Sequence, residues 1–229
     1  MQHPKWLLIG GSRGIGRALA LLASDEYDIT LISRTDPEIP GIDWVEGDAT
    51  KDDLPDIPGP ISGLAYFPGT INLKPFKGLK EKDFQSDFEV NVLGAIRVLQ
   101  HYESALKASG NASVVLFSTV AVQTGMPFHA SVAASKGAIE GLTRSLASEW
   151  APAVRVNAIA PSIVDTPLAA RLLRSEKQRE ASAERHPLKR IGDAQEVAQL
   201  AKFLLSEDAG WISGQVLKLD GGMSSLRGL

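Results

Sequence analysis

The 229-residue chain contains no cysteine. Its absence excludes disulfide bonds, thiolate nucleophiles and metal sites with cysteine ligands. Histidine is also scarce, and the four copies, His3, His101, His129 and His186, lack the paired spacing of metal ligands. Charge of one sign does not dominate either: 24 Lys and Arg oppose 27 Asp and Glu, and no basic cluster indicates nucleic-acid binding. We therefore expect neither a metal centre nor a nucleic-acid partner.

Long hydrophobic runs are missing as well. No stretch is long enough to cross a bilayer, and the apolar run "WLLIG" near the N-terminus is too short for a signal peptide. The overall content, 44% hydrophobic and 22% charged, is nevertheless ample for a packed core. These features predict a cytoplasmic protein with no membrane partner, made of one domain over residues 1–229.

What the chain does contain is an alternation of buried-strand and amphipathic-helix patterns. Strands are predicted at 6–10, 27–33, 42–49, 61–69, 112–119, 154–161 and 214–220. Helices are predicted at 14–24, 81–109, 131–151, and near 166–184 and 194–206. Between the second and third strands, "RTDPEIPG" is too short for a crossover helix, so a loop or single turn is expected there. The alternation predicts an α/β, doubly wound parallel sheet of the Rossmann type.

A glycine-rich turn, "GGSRGIG", separates the first strand from the first helix. It includes Ser12, Arg13 and Ile15, and Gly10, Gly14 and Gly16 give the pattern G-x-x-x-G-x-G. The dinucleotide fingerprint G-x-G-x-x-G does not fit, because its last position falls on Leu19. The turn nevertheless offers close backbone approach and helix N–H groups to a pyrophosphate. Its position favours nucleotide binding, although such glycines also occur where a connection is merely tight.

Charge near the turn bears on which nucleotide binds. Arg34 ends the second strand and Arg13 lies in the glycine turn, and two guanidinium groups suit a 2′-phosphate. The alternatives are that both arginines are solvated, or that Asp36 binds a free ribose. The arginines favour NADP(H) over NAD(H) as the cofactor.

Further motifs follow in order: Asn91 in "VNVLG", "FST" at 117–119, Lys136, "NAIAPSIVDTP" at 157–167 and "LDGG" at 219–222. With the glycine turn, this ordered set resembles the short-chain dehydrogenase/reductase family over essentially the whole chain. The resemblance implies a seven-stranded Rossmann-type sheet and a homotetramer or homodimer built on helices 81–109 and 131–151. It also implies contacts of Asp48 with adenine, Lys136 with the nicotinamide ribose, and Ile163 and Thr166 with the carboxamide. The remaining cofactor contacts are expected at Ala49, Pro68, Gly69 and Pro161.

The catalytic positions of the family match only in part. Asn91 and Lys136 match, the usual serine falls on Thr119 beside Ser118, and the usual tyrosine falls on Val132, which cannot transfer a proton. His129, three residues earlier, is a candidate substitute acid. The alternatives are that His129 is only a loop or helix-entry residue, and that a water held by Asn91, Lys136 and Thr119 donates the proton.

The resemblance therefore implies an NADP(H)-dependent oxidoreductase of small-molecule carbonyl or hydroxyl compounds, with an atypical proton source. The competing reading is a catalytically silent NADP(H)-binding sensor or scaffold. The mixed-charge segment at about 163–190 is expected to form a lid over the substrate.

Overall fold

The computed structural model describes residues 3–226 and contains one parallel sheet of seven strands. Across the sheet the order is β3-β2-β1-β4-β5-β6-β9. In chain order these strands are β1 (Lys5–Ile9), β2 (Asp28–Ser33), β3 (Asp43–Glu46), β4 (Gly63–Tyr66), β5 (Ala112–Phe117), β6 (Val154–Pro161) and β9 (Val216–Leu219). Two short strands, β7 (Val164–Asp165) and β8 (Gly192–Asp193), pair with each other outside the sheet. The predicted single-domain, doubly wound α/β fold is confirmed.

Helices cover both faces of the sheet. They are α1 (Gly14–Ala23), α2 (Glu81–Phe88), α3 (Gly94–Ser109), α4 (Ala121–Thr124), α5 (Ala130–Glu149), α6 (Glu176–Glu184) and α7 (Ala194–Leu205). Short 3-10 turns lie at Phe76–Gly78 and Glu207–Ala209. As predicted, no helix joins β2 to β3.

The alternation of side chains along β1 builds two cores at once. Leu7 and Ile9 point into the core beneath α3 and α5, whereas Trp6 and Leu8 point into the core beneath α1 and α7. A central parallel strand is buried on both faces, and therefore reads as a continuous apolar run.

The predicted long helix at 81–109 is wrong in its middle. A π-helical segment, Glu89–Leu93, separates α2 from α3, and the N–H of Gly94 bonds to the carbonyl of Glu89 five residues back. The side-chain amide of Asn91 donates to the carbonyl of Asp87 at 2.7 Å, which is the acceptor that an uninterrupted α-helix would give to the Asn91 backbone. A wider turn of this kind is often found at functional positions.

The predicted helix near 166–184 is also too long. Residues 166–175 form turns and bends, and α6 begins after Ser175, whose hydroxyl accepts from the Gln178 N–H at 3.3 Å. Pro167 and this N-cap interrupt the helical pattern. Within residues 3–226, no helix combines the length and apolar character that spanning a membrane requires.

The connection from β3 to β4 crosses back to the other side of β1. The strand order therefore reverses between β1 and β4, and the carboxyl ends of these strands open into a crevice. In doubly wound sheets, ligands bind at this position.

Candidate functional site

A cavity of about 1020 Å³ occupies the crevice at the carboxyl edge of the sheet. The glycine turn, the ends of β4, β5 and β6, the first turns of α5 and the 163–190 segment surround it. One element from each quarter of the chain therefore contributes to a single cleft.

The glycine turn has no room for a side chain at two of its positions, Gly10 and Gly16. Gly10 has a φ of +78°, and a Cβ there would lie 2.8 Å from the ring of Pro68. A Cβ on Gly16 would lie 2.5 Å from the Cα of Gly11. No side chain caps the first turn of α1, whose N-cap is Arg13, so its N–H groups remain available to an anion. The cradle fits the pyrophosphate of a dinucleotide.

Hydroxyl and guanidinium groups line the cavity beside the turn. Arg13 and Arg34 are exposed and both border the cavity, and the Thr35 hydroxyl donates to the Ser12 hydroxyl at 2.9 Å. Asp36 lies outside the cavity lining, and its carboxylate accepts from the Glu38 N–H at 2.7 Å. This geometry suits a phosphate on the adenosine ribose better than a free ribose hydroxyl pair.

Asp48 borders the same end of the cavity. Its carboxylate accepts from the hydroxyl of Thr50 at 2.6 Å and from the backbone N–H of that residue at 3.0 Å. The Thr50 hydroxyl bond is the main reason that the pKa of Asp48 is lowered. Ala49 lies buried beside it and lines the cavity.

Helix α5 delivers Lys136 to the opposite end of the cavity. Lys136 and Val132 lie one helical turn apart, are 8% and 5% exposed respectively, and both line the cavity. Burial lowers the pKa of Lys136 to about 8, and the carboxylate of Asp87 opposes this effect. The lysine can therefore gain or lose its proton near neutral pH.

The chain has three tyrosines, Tyr27, Tyr66 and Tyr102, and none lines the cavity. Tyr66 is buried at the end of β4, where its hydroxyl donates to the carbonyl of Val90 at 2.7 Å. Burial raises its pKa, so this phenol is a poor proton donor even within its own surroundings.

Asn91 lies one layer behind the cavity wall and is fully buried. Its amide nitrogen contacts the Asp87 carbonyl, the Thr70 hydroxyl at 2.9 Å and the Ser135 hydroxyl at 3.2 Å. A Cβ on Gly69 would lie 3.3 Å from the Asn91 side-chain oxygen and 3.6 Å from Lys136 Nζ. Asn91 thus lies directly behind Gly69 and Thr70, which both line the cavity.

The two hydroxyls after β5 have different surroundings. Thr119 is half-buried, lines the cavity and accepts from the Ala121 N–H at 3.3 Å. Ser118 is buried and donates to the Glu140 carboxylate at 2.9 Å, which also accepts from Gln123 at 3.1 Å. Thr119 is the hydroxyl that remains free to donate to a ligand.

His129 is the N-cap residue of α5 rather than part of the helix. Its Nδ1 lies 2.7 Å from the carbonyl of Pro127, and because a carbonyl can only accept, Nδ1 is the donor in this contact. The ring is half-buried and lines the cavity, seven residues before Lys136.

Apart from Asn91, every predicted cofactor or catalytic residue borders the one cavity. These residues are Gly10, Ser12, Arg13, Gly14, Ile15, Gly16, Arg34, Asp48, Ala49, Pro68, Gly69, Thr119, His129, Lys136, Pro161, Ile163 and Thr166. Sequence reasoning missed Thr35 and Thr70, which line the cavity but belong to no recognisable motif. It also missed Asp87, which is buried one helical turn before Asn91.

The sequence profile of the family described as enoyl-(acyl carrier protein) reductase matches residues 48–224. The chain is 33% identical over 227 residues to the 3-oxoacyl-[acyl-carrier-protein] reductase MabA of Mycobacterium tuberculosis, covering 95% of this chain and 91% of that protein. It is 37% identical over 167 residues to a tropinone reductase homolog of Arabidopsis thaliana, covering 72% of this chain. This match spans 64% of the Arabidopsis protein.

Solved structures share the fold. The ligand-free aldohexose dehydrogenase of Thermoplasma acidophilum superposes with a TM-score of 0.90 at 29% identity, covering 100% of this chain and 96% of that one. ElxO with NADP bound superposes with a TM-score of 0.87 at 23% identity, covering 98% of this chain and 100% of that one. The latter likeness concerns the fold alone.

Proposed function

We propose that this chain, which belongs to the short-chain dehydrogenase/reductase family, is an NADP(H)-dependent oxidoreductase whose proton source is not tyrosine. Its substrate is a small carbonyl or hydroxyl compound. The observation that carries the proposal is the single cleft that joins the glycine turn to Lys136 and Thr119.

When bound, the nicotinamide cofactor supplies or accepts the hydride. On the protein side, the backbone of the glycine turn and the N-terminus of α1 hold its pyrophosphate. Arg13 and Arg34 supply two positive charges for the 2′-phosphate, and Lys136 binds the nicotinamide ribose. The half-buried Ile163 and Thr166 border the same cavity and hold the carboxamide.

When hydride adds to a carbonyl carbon, the carbonyl oxygen develops negative charge and needs a proton. Val132 occupies the place of the family's tyrosine and offers none. Thr119 polarises the oxygen by donating its hydroxyl hydrogen, and a protonated His129 or a water beside Lys136 donates the proton. Both donors border the cavity.

The walls on the lid side favour an apolar substrate. Met126, Leu168, Leu172 and Met223 line this part of the cavity. The polar residues that join them are Gln178 and Ser182 of α6 and Arg185 and His186, which follow it. A carbonyl compound with an apolar body suits these walls better than a polyhydroxylated sugar does.

One observation favours a second function, that of a silent NADP(H)-binding sensor. The buried Val132 faces the reacting end of the cleft, and no tyrosine of the chain replaces the missing hydroxyl. A sensor needs only the cofactor half of the cleft.

NADPH oxidation by the native chain and by Val132→Tyr, against ketones, aldehydes, quinones and imines, separates these functions. Turnover by the native chain supports the proposal, and Val132→Tyr should then raise ketone reduction by roughly 10²- to 10⁴-fold. Turnover by Val132→Tyr alone supports the sensor. Failure of both proteins to bind NADPH in a fluorescence titration would contradict both functions.

The homo-oligomeric assembly also remains a prediction. A groove of about 370 Å³ between α2 and α5 supports it, because the partly exposed Phe88 and Leu93 line this groove. Light scattering on the native chain and Phe88→Glu tests it, and a native monomer would contradict the prediction. The cytoplasmic location likewise stays a prediction.

A further inference from the structure

Asp87 is a buried acid that the proposed chemistry does not yet use. It lies on α2, one helical turn before Asn91, and is 1% exposed. One carboxylate oxygen, Oδ1, accepts from the Thr70 hydroxyl at 2.6 Å. Among the described residues the other oxygen, Oδ2, has no hydrogen-bond partner. A buried carboxylate with one unsatisfied oxygen is costly unless a cation compensates it.

Thr70 connects Asp87 to the cleft. Its hydroxyl donates to Asp87 and accepts from the Asn91 amide at 2.9 Å, while its backbone N–H donates to the Asn91 side-chain oxygen at 3.4 Å. Thr70 itself borders the cavity. The three residues therefore form one polar chain from the helix interface to the cavity wall.

Lys136 is the buried cation beside this polar chain: a Cβ on Gly69 would lie 3.3 Å from the Asn91 side-chain oxygen and 3.6 Å from Lys136 Nζ. Burial lowers the pKa of Lys136, and the charge of Asp87 is the influence that raises it. The other charged groups on α5 and on the elements packed against it have different partners or positions. They are Glu140, bound to Ser118 and Gln123; Arg155, bound to backbone carbonyls; the exposed Glu81, Lys82, Glu89, Arg144 and Glu149; Asp83, paired with Lys74; and His129 at the start of α5.

We propose that Asp87 is a positioning residue of the cleft: it holds the Lys136 ammonium in its charged form and, through Thr70, fixes the amide of Asn91. The charge pairing is a property of the protein without its cofactor. Its consequence, stronger NADPH binding through a charged Lys136, rests on the proposed function.

The ionisation of Lys136 can be read directly by NMR. Protein labelled with ¹³C and ¹⁵N at lysine is titrated without cofactor, and the Lys136 signal is assigned as the one missing from Lys136→Met. We expect a wild-type midpoint near pH 8 and a lower midpoint in Asp87→Asn, which keeps the size of the side chain and removes its charge. Glu81→Gln removes an exposed charge from the same helix and should leave the midpoint in place. An unchanged midpoint in Asp87→Asn, or an equal fall in Glu81→Gln, overturns the proposal.

Binding gives a second readout. At pH 8, NADPH affinity should fall roughly threefold to tenfold in Asp87→Asn and should converge with the wild type at pH 6. If the wild type binds no NADPH, the proposed function fails, whereas a midpoint shift in the cofactor-free protein still supports the charge pair.

The double variant Asp87→Asn/Lys136→Met keeps the test decisive if Asp87→Asn does not fold. Removing both charges leaves no buried cation without its partner, so the double variant should fold. Where all variants fold, the double variant should unfold at a higher urea concentration than the sum of the effects of the two single variants predicts. Strictly additive effects, or a double variant that is as unfolded as Asp87→Asn, contradict the pairing.

Discussion

The two ends of the cleft are built in different ways. At the glycine turn, close packing at Gly10 and Gly16 and the uncapped first turn of α1 bring backbone N–H groups to the cavity. At the start of α5, the groups are side chains, and their properties depend on burial and on neighbours from α2. Cofactor binding thus depends on local backbone geometry, whereas proton transfer depends on a few side chains brought together by packing.

This difference explains how the two functions can separate. In the proposed function, Val132 stands at the tyrosine position, and this difference leaves the glycine turn on the far side of the cavity undisturbed. The chain would then bind a dinucleotide and take its proton from another group.

Lys136→Met should have the largest effect, because in the proposed function Lys136 takes part in both cofactor binding and proton transfer. The folded-state pKa is about 8 against an ordinary 10.5, so the folded protein binds fewer protons than the unfolded chain between these pH values. Below pH 8 the buried lysine is charged, and this charge lowers the free energy of unfolding by its full amount. The loss disappears as the pH rises to 10.5. Lys136→Met removes this loss of stability and also leaves Asp87 without a cation, so we expect the stability of the variant relative to the wild type to be higher at pH 7 than near pH 10, and NADPH binding to weaken.

Urea unfolding of both proteins at pH 7 and near pH 10 measures the stability difference. The stability of Lys136→Met relative to the wild type should be lower at the higher pH. An equal difference between the two proteins at both pH values would show that packing, and not charge, causes it.

His129→Ala tests the candidate proton donor at the start of α5. If His129 is the acid, carbonyl turnover falls roughly 100-fold while NADPH affinity stays nearly constant, because the ring lies away from the glycine turn. His101→Ala, on α3 and outside the cavity, is the control. Unchanged turnover in His129→Ala assigns the proton to water.

Gly16→Ala tests the cofactor end. The added Cβ would lie 2.5 Å from the Gly11 Cα, so backbone must move, at a cost of about 2 kcal/mol in unfolding free energy. NADPH binding should fall with it. Gly141→Ala on α5 meets no atom within 4 Å and should stabilise the protein by about 0.5–1 kcal/mol. Similar effects of the two variants would refute the close-packed turn.

Arg34→Ala has the smallest expected effect and separates the two cofactors. Because Arg34 is exposed, its loss should weaken NADPH binding only by roughly tenfold and leave NADH binding nearly unchanged. Arg144→Ala, an exposed arginine of α5 outside the cavity, is the matched control. Isothermal titration with both cofactors measures the ratio. An equal loss for NADPH and NADH would favour the free-ribose alternative.

Much of the fold followed from the sequence, because strand burial and glycine turns are local properties. The apolar run Lys5–Ile9, the glycines behind it and the short β2–β3 connection each act within about ten residues. The prediction was wrong in the middle of the helix at 81–109, because helical periodicity does not distinguish a bond to the fifth residue back from one to the fourth.

The sheet, the glycine turn and the predicted residues that line the cavity followed from the sequence alone. The place of Asn91 behind the cavity wall, the N-cap position of His129 and the packing of Asp87 near the buried Lys136 depended on the tertiary structure. The reason is physical. Desolvation and pairing of a charge depend on segments distant in the chain, here α2 and α5, and those become neighbours only when the cores have packed.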